Sequence, residues 1–319
     1  LVFAFALLCS TSLVAQFSFN ENGIGIQSAT NTASGTSSIA MGGYTTASGN
    51  TSTAMGTGTT ASGNNSTAMG YNTQASGYTS TAMGYVSNAS GNTSTAMGFG
   101  TQASGNNSTA MGVETTASGD RSTAMGWNTN AQDFASVSIG IYNKTDETPN
   151  PDFFSYQNTA FVIGNGGYDS EGNTSDTFSN AFEVLFDGTT TIAGDLNINS
   201  DARLKANIIS LGATLSKLLQ IDGKTYTMKK DTNHKKKIGL LAQDIEKVFP
   251  ELVTETNDIK SVNYQGLVPV LINAMKEQQD EIINQKDEIE RLKKQDEINK
   301  KQQQEIDELK AMVKALAKG

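Results

Sequence analysis

Along much of the first half of the chain, large apolar residues come singly, at fixed intervals, in a background of Gly, Ser, Thr and Asn. Between residues 33 and 140 the interval is 14. Successive copies read TASGNTSTAMGTGT, TASGNNSTAMGYNT, QASGYTSTAMGYVS, NASGNTSTAMGFGT, QASGNNSTAMGVET and TASGDRSTAMGWNT. Met41, Met55, Met69, Met83, Met97, Met111 and Met125 share one slot, Ile139 takes the next, and a glycine follows each. A repeat this short, with two glycine-marked corners, predicts a thin solenoid of two short strands and two turns per coil. Side chains alternate along a strand, so Ser52, Ala54 and Gly56 face one way and Thr53 and Met55 the other. The small residues suit the interior. The Met column forms an apolar stripe that needs covering, and three chains pooling their stripes is the simplest cover. At roughly 4.8 Å per coil, eight coils make a rod of about 40 Å.

Beyond residue 140 the repeat decays. Pro149 and Pro151 mark a loop. Phe161-Val162-Ile163, Phe182 to Phe186 and Thr189 to Ile192 read as short strands, with Asp187-Gly188 as a hairpin signal. The last 50 residues change to helical spacing. Leu267, Val268, Leu271, Ile272 and Met275 open the helix, with Pro269 tolerable in its first turn. Ile282, Ile289 and Leu292 continue the seam, and Ile306, Leu309, Val313 and Leu316 follow at 3-4-3 spacing. The two registers are offset, which places a stutter between them.

Charge divides the chain at residue 200. Residues 17–199 hold 13 acidic and 2 basic side chains, whereas residues 200–319 hold 19 and 21. The acidic half argues against nucleic-acid binding, which needs a basic footprint. Cys9 is the single cysteine, so no intramolecular disulfide forms. It lies in an apolar run resembling a secretory leader cut near Ala15 or Gln16. No later stretch is long and apolar enough to predict a transmembrane helix. These features predict a secreted or cell-surface chain.

Ser200-Asp201-Ala202-Arg203-Leu204-Lys205 sits on the seam and carries the candidate chemistry. A serine hydroxyl needs a base to become a nucleophile, and a lysine serves only when neutral. Burial or nearby positive charge produces that state; Arg203 and the run Lys235-Lys236-Lys237 are candidate neighbours. Residues five apart on a regular helix point about 140° apart. The pair therefore requires Ser200 off the helix, or a group from another chain. The competing structural reading makes Ser200-Asp201 a helix start and leaves Lys205 on the surface. His234, the one histidine, lies in a charged run and supports no Ser-His-Asp triad. No paired-carboxylate or metal-ligating pattern and no cofactor motif stands out, and the calcium repeat Gly-Gly-x-Gly-x-Asp is absent. Thr51/Thr53, Thr79/Thr81 and Thr93/Thr95 suggest an ice-facing column, which Asn65, Asn107 and Arg121 interrupt.

The repeat resembles the heads of trimeric autotransporter adhesins of the YadA type, which implies a left-handed parallel β-roll, a homotrimer and an unidentified surface ligand. The segments Ser200 to Ile208, Lys224-Thr225-Tyr226, Ile238 to Val253 and Val262-Asn263-Tyr264 together resemble the endosialidase-type intramolecular chaperone of phage tail spikes and fibres. That resemblance implies a trimeric chaperone that releases itself by self-cleavage, as an autocatalytic serine endopeptidase acting once, with no cofactor and no other substrate. Carried over, Asn199–Ser200 is the scissile bond, Ser200 the nucleophile and Lys205 the base, with Asp201 and Arg203 in support. The expected fold is a mostly β head, a β neck, and an α+β chaperone ending in a long coiled-coil helix. The expected map is leader 1–16, lead-in 17–32, β-roll 33–140, neck 141–199, chaperone 200–264 and coiled-coil helix 265–319. The alternative is an uncleaved adhesive stalk trimerised by its C-terminal coiled coil.

Overall fold

A computed structural model describes residues 16–20, 23–27, 30–145, 147–167, 177–229, 231 and 234–317. The expected leader, apart from Gln16, lies outside the described residues, and Cys9 with it. The chain separates into two compact units with the boundary between Ile198 and Asn199.

In the first unit each 14-residue copy is one coil of a β-solenoid. Five-residue strands such as Thr53–Thr57 and Thr67–Tyr71 stack in parallel register, Ala54 on Ala68 and Met55 on Met69. Two-residue strands such as Thr60–Ala61 and Gln74–Ala75 stack likewise into a second, 8-stranded sheet. The interior follows the alternation. Ser52, Ala54, Thr59 and Ala61 are buried, and their equivalents in later coils form continuous columns of Ala and hydroxyl groups. The methionines lie on the outer face, with Met111 39% and Met125 38% exposed. Beside them Tyr71, Tyr85 and Phe99 stack ring on ring at 5.0 and 4.9 Å.

Two glycine columns let the coils approach this closely. A Cβ on Gly49 would lie 2.0 Å from the carbonyl oxygen of Gly63. One on Gly56, where φ is +122°, would lie 2.0 Å from that of Gly70. Both corners of each coil also hold a residue in the left-handed region, and the sequence does not reserve these places for glycine. Thr51, Thr79 and Thr93 occupy one corner at φ 56°, 55° and 56°. They are turn residues and do not share a flat strand face with Thr53, Thr81 and Thr95, so the ice-facing column is not built. The other corner takes Gly58 and Gly100 but also Val86 at φ 54°. A β-branched residue there is strained. Asn fills the same slot as Asn72 and Asn128. Val86→Asn is expected to stabilise the chain by about 1 kcal/mol, read as a higher midpoint in thermal unfolding followed by circular dichroism.

The register runs past the repeat. Thr159–Asn165 pairs in parallel with Val137–Ile141, setting Ile163 on Ile139 and Gly164 on Gly140. An antiparallel pair, Asn180–Leu185 and Thr190–Ile192, completes the 13-stranded sheet around the turn at Asp187-Gly188. Asp133 stands where earlier coils have glycine: a Cβ on Gly119 would meet its carbonyl oxygen at 2.1 Å. Among the described residues no further short strand stacks beyond Asn130–Ala131, so a side chain fits. Its buried carboxylate accepts the backbone N–H of Asn150 at 2.8 Å and of Thr159 at 2.9 Å. The same loop is held by the Phe134 amide donating to the Asn150 carbonyl and the Asp120 amide to that of Pro151, each at 2.9 Å.

The second unit contains three α-helices, α1 (Leu215–Leu218), α2 (Ala242–Val248) and α3 (Leu267–Leu316), among the described residues. Two hairpins, Lys224–Tyr226 with Lys237–Gly239 and Val253–Thr256 with Ile259–Val262, lie between them in sequence. Ile245, Phe249, Leu252, Leu267 and Val270 form the small core. The 50 residues of α3 extend about 75 Å at 1.5 Å per residue. Only Leu267, Val270 and Ala274 along it are buried. Ile289, Leu292, Leu309 and Val313 are more than half exposed.

Candidate active site

Asn199 and Ser200 lie outside any helix or strand. Asp201 is extended at φ −62°, ψ 133° and caps a single 3-10 turn, Ala202–Leu204. Lys205 returns to extended backbone at φ −119°, ψ 146°. The turn closes through the Leu204 amide donating to the Asp201 carbonyl at 3.0 Å and the Lys205 amide to that of Ala202 at 3.1 Å. Because the chain makes one tight turn and then straightens, the Lys205 side chain folds back. Its Nζ donates to Ser200 Oγ at 2.6 Å. A regular helix would have kept the pair apart. The contact is made within one chain, and both residues are exposed.

Asp201 and Arg203 form the second pair. Asp201 Oδ1 accepts the backbone N–H of Arg203 at 2.8 Å, and Arg203 Nη2 donates to Asp201 Oδ2 at 2.6 Å. The Arg203 side chain first, and its backbone N–H second, hold the Asp201 carboxyl below its usual range. Arg203 is thus engaged with a carboxylate. Among the described residues no hydrogen bond or ion pair joins Lys235, Lys236 or Lys237 to Ser200 or Lys205. Lys237 begins a strand, and His234 is exposed at φ 49°.

Comparison with known proteins places two families along the chain. Residues 200–254 match the family described as chaperone of endosialidase. Residues 29–45, 33–59, 47–73, 75–101 and 103–129 match the YadA head domain repeat. The repeats in the first unit are thus similar to YadA head repeats, and the start of the second unit is similar to the chaperone of endosialidase. Among the relatives of the chain is long tail fiber protein Gp37 of Salmonella phage S16, 28% identical over 150 residues, 41% of this chain and 20% of the relative. Gp37 of Enterobacteria phage M1 is 32% identical over 115 residues, 32% of this chain and 46% of the relative. Gp37 of Escherichia phage AR1 is 33% identical over 100 residues, 28% of this chain and 9% of the relative. The match spans less than half the length of each of these relatives. No described helix is long and apolar enough to cross a membrane.

One contact that organises the second unit has no sequence signal. Glu277, on α3, accepts the backbone N–H of Thr214 at 2.6 Å and of Leu215 at 3.1 Å, capping α1 from 62 residues away. Thr214 Oγ1 donates to the same carboxylate at 3.1 Å. These bonds, the Thr214 amide foremost, hold the Glu277 carboxyl below the ordinary glutamate range. A depressed folded value means stabilisation that is present at neutral pH and lost as the pH falls through that value. Glu277→Gln is therefore expected to lower the melting temperature at pH 7. The difference from wild type should shrink in acid, as thermal melts between pH 3 and 7 would show.

Proposed function

We propose that this chain forms a homotrimeric fibre of an extracellular or virion surface, and that its C-terminal unit assists assembly and then cuts the chain at Asn199–Ser200. The observation that carries the proposal is the Lys205 Nζ to Ser200 Oγ contact of 2.6 Å inside the segment matching the chaperone family. The half-exposed Met column and the bare apolar seam of α3 support association with further copies. The Gp37 relatives support a fibre.

In the proposed reaction the neutral Lys205 amine takes the Ser200 hydroxyl proton as Oγ bonds to the carbonyl carbon of Asn199. The carbon–nitrogen bond breaks, and the proton passes to the departing nitrogen, which becomes the α-amine of Ser200. Asn199 is then held as an ester on Ser200 Oγ. Water hydrolyses it, giving an Asn199 carboxylate and restoring the serine. The burial that a lysine base needs comes from the neighbouring copies, since the single chain leaves the site open.

That openness is also the observation favouring the second reading, an uncut stalk in which Lys205 is a surface residue. Expression of residues 17–319 and a denaturing gel separate the two. Cutting yields fragments 17–199 and 200–319. A trimer that stays full length overturns the cleavage reading.

A further inference from the structure

We infer that Asp201 is a positioning residue for the proposed cleavage: its carboxylate caps the Ala202–Leu204 turn and so holds Lys205 against Ser200. The inference rests on the cleavage reading and adds to it the means by which residues five apart meet. Beyond its two backbone hydrogen bonds the turn has little else to hold it. It is three residues long, none of them buried, and isolated turns of this kind are poor at forming alone. The side chain of Asp201 supplies the missing partner by accepting the Arg203 N–H at 2.8 Å. Arg203 Nε and Nη2 fix the carboxylate's orientation at 3.1 and 2.6 Å. The ion pair is largely exposed, at 88% for the Arg203 side chain and 43% for that of Asp201. Exposed pairs contribute little, so the cap is assigned the larger share. Loss of the cap frees residues 201–204 to extend, and extension carries Lys205 Nζ away from Ser200 Oγ.

Asp201 is exposed and outside the core, so its replacement leaves the unit folded. Cleavage of the full chain is followed on denaturing gels, with rates taken on the assembled trimer only. Asp201→Ala should cut about five- to tenfold more slowly, the usual scale for a lost cap. Asp201→Asn and Asp201→Ser keep a capping oxygen and should restore most of the rate. Arg203→Gln should change it by less than about twofold. The pH at half-maximal rate should stay where it is in Asp201→Ala, because a positioning loss scales the rate without altering what titrates. Equal rates for wild type and Asp201→Ala overturn the inference. So does an Asp201→Asn chain as slow as Asp201→Ala with its pH midpoint displaced, which assigns the effect to charge. A wild-type trimer that is never cut overturns the cleavage reading itself, and the role of Asp201 with it.

Discussion

Ser200→Ala is expected to leave the chain in one piece where the wild type gives two fragments. The substitution removes one oxygen from an exposed residue outside any helix or strand, so the fold has no reason to change. What disappears is the atom that Lys205 Nζ approaches to 2.6 Å. Lys205→Ala should slow cutting by roughly 10²–10⁴-fold, the usual contribution of a general base. Lys205→Arg should be as slow, because a guanidinium is not deprotonated in proteins. The ester intermediate gives an independent signature. Hydroxylamine added to assembling wild-type trimer should accelerate release and leave a hydroxamate at the end of the 17–199 fragment, detectable by mass. A Ser200→Ala trimer should be indifferent to it. If Ser200→Ala still yields both fragments at the wild-type rate, the nucleophile is another group or another protease.

The largest loss of stability is expected at a glycine in the middle of the rod. At Gly84 a methyl group would meet the Gly98 carbonyl oxygen at 2.1 Å, and φ is +112°. Neither the space nor the backbone conformation accepts a side chain, and the obstacle is main chain with parallel partners on both sides. Gly84→Ala should cost about 3 kcal/mol or more, at the upper end of overpacking and backbone-strain effects. Gly43→Ala is the matched control: nothing lies within 4 Å of its Cβ and its φ is ordinary. Thermal unfolding of the full chain should fall steeply for the first and barely for the second. A Gly84→Ala chain as stable as wild type would mean that the coils are not stacked at this distance.

The head was legible because its order is periodic. A period of 14 fixes which residues stack, and alternation within five residues fixes which face is buried, so Ala54 inside and Met55 outside follow directly. The left-handed corners were not legible. Local preference puts glycine or Asn at such places, yet Val86 and Thr51 hold them because the stacked coils above and below impose the conformation. The rung at Thr159–Asn165 was half legible: its strand was expected from Phe161-Val162-Ile163, but its place in the head sheet depends on a loop that the pattern does not encode. At the seam the sequence named Ser200 and Lys205 but left open how they meet. The answer is a cap and one 3-10 turn, three residues long, below the resolution of any periodicity. The Glu277 cap on α1 had no local signal at all, since its partners lie 62 and 63 residues away.

Asp133 carries a further consequence. A stack of identical coils has no intrinsic stopping point: the last one exposes a row of amides and carbonyls that would accept another coil, including one from a different molecule. By putting a side chain into the glycine slot and spending its carboxylate on the Asn150 and Thr159 amides, the chain closes that edge with its own loop. The protein can therefore be built from the same stacking that lets fibrils grow without limit, and yet end at a fixed length.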